Sequence, residues 1–290
     1  MKRLLSAIIL AIAGACIAYA SGNNGAAEAA DTTVSPLRPL TAFYGIEIGS
    51  ARDFNTYLSP IRQTGTHAGI QASWSRATGF APEKVIMDFD ARFAMDFCSN
   101  KQHTSSMTGI DFALAWDMLY RLRPLPGLQL AGGGGIELDA GALYLPRNSN
   151  NPVAARLSLA LTLNLRADYS FHLGRLPITI TDRFSLPSLG VFFSPEYGES
   201  YYEIYLGDHS GLANCGWWGN HFQVSNLLLA QFTLGNIRLC AGYRVECRSS
   251  YANKINTRLV NHSFVLGIAT DWLNVTRGLK SSQPIIPAAY

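Results

Sequence analysis

The feature that most constrains this chain is a long and unbroken alternation of apolar and polar residues. Between Val153 and Phe171 every odd position is apolar or aromatic, and the even positions include Arg156, Arg166 and Asp168. A period of two places successive side chains on opposite faces of a β-strand, whereas a helix has a period of 3.6. The segment therefore predicts a strand with one apolar and one charged face, far longer than the roughly five or six residues usual in globular proteins.

The same alternation recurs along the chain and predicts ten strands. The regular ones are Ala68–Arg76, Val85–Phe97, Thr108–Arg121, Leu128–Tyr144, Val153–Phe171, His221–Leu234 and Ile237–Arg248. The less regular ones are Ala42–Ile48, Leu176–Phe184 and Val260–Trp272. Several of these segments reach the roughly nine to eleven residues that a tilted strand needs to cross a bilayer.

These strands predict a closed, all-β fold. A cylinder with an even number of strands leaves no backbone edge unpaired in hydrocarbon. The expected fold is an antiparallel, up-and-down transmembrane β-barrel over residues 41–272 with ten strands, and a further hairpin within Gly190–Leu206 would make twelve. A secreted two-sheet sandwich, whose strands also alternate, is the competing interpretation. Charged residues make up 15% of the chain, against about 25% in soluble domains, which favours the barrel.

The connections between strands support this interpretation independently, because outer-membrane barrels alternate short periplasmic turns with longer outer loops and keep both termini in the periplasm. The predicted periplasmic turns are Ala77–Lys84, Leu122–Gly127, His172–Arg175 and Gly235-Asn236. The predicted outer connections are Arg52–Gly65, Cys98–Ser106, Leu145–Pro152, Ser185–Asn220 and Ser249–Thr257.

The polar faces of the strands are expected to line a narrow lumen. They carry closely spaced charges of both signs, and charges removed from water are normally paired. The predicted lumen residues are Asp88, Asp90, Arg92, Asp111, Asp117, Arg121, Glu137, Asp139, Arg156, Arg166, Asp168, Arg238, Arg244, Glu246 and Arg248. The sequence thus predicts a network of ion pairs inside the barrel.

The N-terminus predicts export. Lys2 and Arg3 precede an apolar run, and Ala18-Tyr19-Ala20 has the small-x-small pattern of a signal-peptidase site, so residues 1–20 are a predicted signal peptide. Processing as a lipoprotein at Cys16 is the alternative, although the residues before it lack the usual leading aliphatic position. The mature protein is therefore expected in the outer membrane.

The remaining composition excludes several classes of protein. Residues 21–40 predict a flexible leader and 273–290 a periplasmic tail. The net charge of +3 comes from scattered basic residues, which gives no footprint for nucleic acid. No two cysteines have zinc-site spacing, so neither a metal nor a cofactor is expected. The cysteines left after processing are Cys98, Cys215, Cys240 and Cys247. The sequence allows a Cys98–Cys215 disulfide but does not require it.

A surface enzyme acting on lipid or peptide is one alternative function, and it would need a base held by an orienting group. The histidines that invite this hypothesis are His103, His209 and His262. Adjacent strand residues face opposite ways, so His262 and Ser263 cannot form a dyad with each other. The run Gly132–Gly135 continues a strand, which predicts a bend or room for a lumenal side chain in place of a phosphate loop. No catalytic residue is predicted.

The longest outer connection is rich in aromatic residues beside carboxylates, a combination that can stack on sugars or other flat ligands. The candidate ligand-binding residues are Tyr197, Tyr201, Tyr202, Glu203, Trp217 and Trp218. An aromatic girdle at the membrane interface, or a loop folded inward over the lumen, explains the same composition.

The same connection also resembles a known family. Ser194-Pro195-Glu196-Tyr197-Gly198-Glu199-Ser200-Tyr201-Tyr202-Glu203-Ile204-Tyr205, reached through Leu186–Gly190, is similar to a motif of small barrels from Gram-negative, gut-type bacteria that are defined only as a domain of unknown function. The resemblance covers about the central third of the chain by motif, and Trp217-Trp218 lies outside its pattern. It implies an outer-membrane-type barrel without an established activity, so it assigns no catalytic residue.

The leading functional prediction is an integral outer-membrane barrel with a structural or transport role and a narrow, charged lumen, since few strands leave an interior that side chains can fill. The outer-membrane enzyme and the surface ligand-binding barrel remain the alternatives. The expected partners are outer-membrane lipid and the barrel-assembly machinery during biogenesis.

Overall fold

A computed structural model describes residues 36–149, 151–174, 176–207, 209–234, 237–272 and 284–288. The predicted signal peptide, most of the leader and the predicted Gly235-Asn236 turn lie outside the described residues. The described strands are β1 (Leu40–Asn55), β2 (Ser59–Ala77), β3 (Val85–Ser99), β4 (Ser106–Leu125), β5 (Leu128–Tyr144), β6 (Val153–Leu173), β7 (Leu176–Phe193), β8 (Ala213–Trp217), β9 (His221–Leu234), β10 (Ile237–Ala252) and β11 (Ile255–Trp272). A short helix, α1 (Tyr201–Leu206), lies between β7 and β8.

The strands form one closed antiparallel barrel. Each of β1 to β7 pairs with the next strand, as do β9, β10 and β11, and β11 pairs with β1 along its length. The short β8 and the longer β9 both pair with β7, so together they fill one position in the wall. The prediction of a ten-stranded antiparallel barrel is confirmed.

The twelve-stranded variant is wrong. Gly190 to Phe193 continue β7, where they pair with β8, and Tyr201–Leu206 forms α1. Helix formation there has a local cause, because Ser200 caps the helix and Glu203 bonds back to the cap, completing a capping box.

The pleat separates the two faces of each strand as the alternation requires. On β6, the leucines at odd positions point outward, and Leu161 is 53% exposed. Thr162, its neighbour in sequence, points into the lumen and is 3% exposed. An apolar outer surface and a polar interior are the arrangement of a barrel whose solvent outside is lipid.

Several predicted outer connections are too long. β1 continues to Asn55, and β2 already begins at Ser59. β10 and β11 are joined by a turn at Asn253 and Lys254, which both have a positive φ. Long parts of the predicted loops Arg52–Gly65 and Ser249–Thr257 are therefore strand. The alternation is weak there because outward side chains such as Arg52, Arg62 and Thr64 are polar, as many inward ones are, although the backbone ladder continues.

Strand β7 is interrupted on both edges at one height. Its register with β6 shifts between Leu161 and Thr162, opposite Pro187, and the described pairings with β9 and β8 stop at Ser185 and restart at Leu189. Proline has no N–H to donate, so it cannot complete the ladder. The Trp218 side chain instead donates Nε1–H to Pro187 O at 3.1 Å.

Apolar side chains close the end of the lumen opposite the chain termini, which is the end predicted to face outward. This outer cap consists of Ala51, Leu58, Cys98, Met107, Leu143, Leu145, Ala154 and Leu259, with Tyr57 packed against it. Most of these residues point inward from strands, and Leu58 and Leu145 belong to outer connections. The cap therefore excludes water above the charged interior.

The C-terminal segment 284–288 lies at the opposite mouth. It runs parallel to the chain at Leu37, with Leu37 N–H donating to Pro284 O and Ile286 N–H donating to Leu37 O. Ala288 is buried with Ile86, Leu119 and Ala131. The described part of the predicted tail is thus docked in the barrel mouth.

The described residues contain no helix long and apolar enough to cross a membrane. Cys98, Cys215, Cys240 and Cys247 are all free thiols, so the Cys98–Cys215 disulfide is not formed. Cys98 is buried in the outer cap, whereas Cys215 is exposed on β8.

The two faces of β6 predict a paired mutational result. Leu161→Arg places a charge on the outward apolar face and should lower the free energy of unfolding by about 2–4 kcal/mol. Thr162→Arg places the same charge beside the Asp117 carboxylate, 3.2 Å from the Thr162 hydroxyl, and should cost clearly less. Urea unfolding in lipid vesicles measures both, and equal losses would contradict the assigned faces.

Candidate functional site: the lumen and the outer loop

Glu47 is the centre of the ion pairs in the middle of the lumen. Its carboxylate accepts a hydrogen bond from Arg92 Nε and lies 3.2 Å from Arg244 Nε. Ser263 Oγ–H donates to it at 3.2 Å, and His67 Nε2 lies 3.6 Å away. Glu47 and His67 are fully buried, so these partners replace all contact with water.

Arg92 and Arg248 carry this network across the lumen. Arg92 on β3 lies 2.6 Å from Glu246 on β10, and Arg248 on β10 binds the same carboxylate at 2.6 Å. Arg248 also reaches Asp139 on β5 at 2.6 Å and Asp111 on β4 at 3.1 Å. The central network therefore consists of Glu47, His67, Arg92, Asp96, Asp111, Asp139, Arg156, Arg244, Glu246 and Arg248.

A second cluster fills the half of the lumen nearer the chain termini. Arg183 on β7 lies 2.8 Å from Asp90 and 3.2 Å from Asp88, both on β3. Arg166 on β6 lies 3.2 Å from Asp88 and 2.9 Å from Asp168. Like the central network, this cluster ties opposite walls together.

The space left between the two clusters is small. It is a cavity of about 110 Å³, lined by side chains that include Asp117, Glu137 and Arg166, and such a volume holds only a few waters. Asp117 accepts hydrogen bonds from Thr162 and Asn164, and Glu137 accepts one from Gln223. Among the described residues, neither carboxylate has a cation within ion-pair distance.

Gly135 explains part of the glycine run. A Cβ at this position would collide with the Asp117 carboxylate and with the backbone of β4. The missing side chain therefore makes room for an inward carboxylate, one of the roles expected for Gly132–Gly135.

The structure brings most of the predicted lumen residues into these two clusters. Arg121 lies at the mouth that holds segment 284–288, where it donates to Pro287 O at 2.6 Å and to Pro82 O at 2.6 Å. Arg238 lies apart at the same rim, paired with Asp271 at 2.8 Å. Gln129 donates to Ala288 O, so two lumenal side chains hold the C-terminal segment.

The predicted lumen set left out Asp96, although this residue lies on the polar face of β3, and sequence reasoning missed three further members of the clusters. Glu47 stands between the inward glycines Gly45 and Gly49, which hid the alternation of β1. His67 precedes the predicted start of β2 by one residue, and Arg183 lies in a strand of irregular pattern. Extending each predicted strand by a few residues and assigning every second residue to the lumen would have included all three.

The outer loop is the connection between β7 and β8 that contains α1, and described contacts anchor it beside the outer cap. Tyr57 O–H donates to Glu199 O at 2.6 Å, and Tyr201 accepts from Ala155 N–H at 2.6 Å. The two rings meet edge to face with centroids 6.1 Å apart. Burial raises the pKa of Tyr57 to about 12, so its phenol keeps the proton that it donates. Asn253 ties the base of the loop by donating to Ser194 O.

The candidate ligand-binding residues occupy three environments. Tyr201 and Glu203 have structural partners, the latter in the capping box, where hydrogen bonds from Ser200 lower its pKa. Trp217 is opposite the outward Leu189 on the wall, and Trp218 binds Pro187 O. The exposed candidates on the loop are Tyr197 and Tyr202, joined by Tyr205 at 83% exposure.

The outer rim offers one serine–histidine contact. Ser99 Oγ and His103 Nδ1 lie 3.1 Å apart, and no described carboxylate contacts this imidazole. His67 does have a carboxylate partner, Asp96, but it is buried in the lumen. No three His, Cys, Asp or Glu side chains among the described residues form a metal-ligand set.

Fold and site together define a closed, charge-filled β-barrel with an apolar outer surface. The sequence matches the model of a family described as protein of unknown function (DUF3316) over residues 8–278. The chain belongs to this family. A search of curated proteins gives no match.

Solved barrels give distant structural likenesses. The outer membrane protease OmpT from Escherichia coli has 8% identity and a TM-score of 0.44, with 84% of this chain and 99% of that chain covered. The translocator domain of the autotransporter NalP from Neisseria meningitidis has 8% identity and a TM-score of 0.37, with 93% and 98% covered. An outer membrane channel from Pseudomonas putida F1 has 9% identity and a TM-score of 0.34, with 84% and 100% covered. The activities in these names belong to those proteins.

The lumen makes a second prediction about stability. Arg92→Met removes the cation shared by Glu47 and Glu246 and leaves two buried carboxylates with fewer partners, which should cost about 3 kcal/mol or more of unfolding free energy. Lys101→Met, at an exposed outer turn, should change it by less than about 0.5 kcal/mol. Urea unfolding of the two variants in the same vesicles tests this, and similar values for both would contradict it.

Proposed function

We propose that this protein is an integral outer-membrane barrel with a closed lumen, whose role is to hold its outer loop at the cell surface. In this proposal the chain is exported with a cleaved signal peptide and inserted by the barrel-assembly machinery, with both termini in the periplasm. Its Ser194–Tyr205 segment corresponds to the motif that it shares with small Gram-negative barrels. Lipid is its permanent partner.

The filled lumen carries the proposal for a structural role over transport. Arg92 and Arg248 bridge opposite walls at 2.6 Å, and the cavity between the two ion-pair clusters is only about 110 Å³. The outer cap and the docked segment 284–288 close the two ends. A transported solute would have to separate buried ion pairs at several kcal/mol each.

Planar-bilayer recording tests the closed lumen. Purified barrel, shown to be folded and inserted by its heat-modifiable gel mobility, should give no steady channel steps under an applied voltage. An open porin in the same bilayer serves as the positive control. Stable, large openings from the folded barrel would exclude a closed structural barrel and favour the transport version.

The exposed tyrosines of the outer loop support a second candidate, a surface that binds flat ligands such as sugar rings. Tyr197, Tyr202 and Tyr205 project from a loop whose backbone is fixed by Tyr57 and Tyr201, and a rigid aromatic surface loses little entropy on binding.

A triple variant separates ligand binding from loop structure. Tyr197→Ala/Tyr202→Ala/Tyr205→Ala should abolish retention of the whole barrel on immobilised oligosaccharides that the unsubstituted protein binds. Hydrogen exchange of the loop should stay the same, because its anchors are untouched. Equal retention of both proteins, or none by either, would count against this candidate.

A further inference from the structure

Three arginines point away from the lumen at the outer ends of β11, β1 and β2. Arg52, Arg62 and Arg258 are exposed, and Arg52 pairs in register with Thr64 on one side and Val260 on the other. Arg62 and Arg258 lie two residues beyond these partners, which makes them diagonal neighbours of Arg52 at about 7–8 Å. We refer to these three residues as the arginine cluster.

The arginine cluster has no protein partner within the described part of the chain. Every arginine of the two lumenal clusters has a carboxylate within 4 Å, whereas no described hydrogen bond or ion pair involves these three side chains. The outward positions in the outer halves of β10, β11, β1, β2 and β3 carry no Asp or Glu. The arginine cluster is thus a patch of concentrated positive charge, and no carboxylate of the described residues neutralises it.

The height of the cluster fits the lipid headgroups. On β1, the outward residues in order are Ile46, Ile48, Ser50 and Arg52. Ser50 is in register with His262 on β11 and with Thr66 on β2, so on these three strands polar residues replace the apolar belt at that row, while Phe97 continues the belt on β3. The arginine cluster begins one outward position above it, where a membrane changes from hydrocarbon to polar groups.

An apolar groove lies below the cluster on the same face. It has a volume of about 510 Å³ and is lined by residues that include Tyr44, Ile46, Ile70, Phe93, Leu266 and Ile268. Ile46 and Arg52 are six residues apart, which on a strand tilted by about 40° is roughly 15 Å of height. This distance is half of a hydrocarbon core of about 30 Å, so it matches the depth of one leaflet.

We propose that this face of β11, β1, β2 and β3 binds a phosphorylated glycolipid of the outer leaflet, of the lipid A class. Its phosphates lie on the arginine cluster and one acyl chain fills the groove. Guanidinium groups suit phosphate because they donate two hydrogen bonds in a planar fork and keep their charge. The inference rests on the proposed insertion with both chain termini in the periplasm, which turns this end of the barrel toward the outer leaflet.

Native mass spectrometry of the full barrel released from detergent micelles tests the site. The probes are bis-phosphorylated lipid A, the same lipid without phosphates, phosphatidylglycerol and free inorganic phosphate. The variant is Arg52→Gln/Arg62→Gln/Arg258→Gln, and the matched control is Lys84→Gln/Lys101→Gln/Arg147→Gln, which removes three exposed cations elsewhere. Gel mobility and membrane fractionation of each protein report insertion separately.

The unsubstituted protein and the control should retain one molecule of phosphorylated lipid A, and the arginine variant should bind it at least about tenfold more weakly. Loss of the lipid phosphates should have the same effect, and millimolar phosphate should not displace the lipid. Equal binding of phosphatidylglycerol, or no difference between the two triple variants, would overturn the inference while insertion stands. Failure of the unsubstituted chain to insert would instead refute the proposed function.

Discussion

The structure depends on the neutralisation of charge inside a narrow lumen. An unpaired charge buried in protein costs several kcal/mol, and here most carboxylates are held by arginines from another part of the wall. The pairs between β3 and β10 and between β10 and β5 act as cross-braces that fix the diameter of the barrel. The same long side chains occupy the interior, so stability and closure arise from one set of contacts.

The two ends of the lumen are closed by different physical means. The outer cap is apolar packing between inward side chains of the wall and Leu58 and Leu145 of two connections, and no residue of α1 belongs to it. The other end is closed by backbone carbonyls of segment 284–288, which accept hydrogen bonds from Arg121 and Gln129. Because the outer cap already closes this mouth, the outer loop is not needed to close it. Its exposed aromatic residues are available for contact with other molecules.

The sequence predicted strands well where the two faces differ most. On β3 and β6, charged or polar side chains face inward and apolar side chains face outward, so a period of two is evident and the face of each residue follows. Toward the strand ends far from the chain termini, outward residues such as Ser50, Arg52 and Thr64 are polar, and the contrast fades although the ladder continues. The ends of β1, β2, β10 and β11 were missed for this reason, and Glu47 was hidden by glycines on its own face.

The lumen network could be predicted as a set of residues but not as a set of pairs. Arg92 and Glu246 are far apart in sequence, and their contact follows from the strand order and from the stagger of the strands around the cylinder. Helix α1 has a local signal, since Ser200 and Glu203 form a capping box that the sequence displays. The arginine cluster required the register of three strands before its members could be recognised as neighbours.

Strand β7 is a weak line in the wall of the barrel. Its ladder is broken near Pro187 toward β6 and toward the junction of β9 with β8, and side chains such as Trp218 replace only part of the missing backbone bonds. A barrel that lacks ladder hydrogen bonds at one height should open there first when it is heated. Thermal loosening of this barrel should therefore begin as a local hinge beside Pro187, while the ion-paired walls opposite still hold their shape.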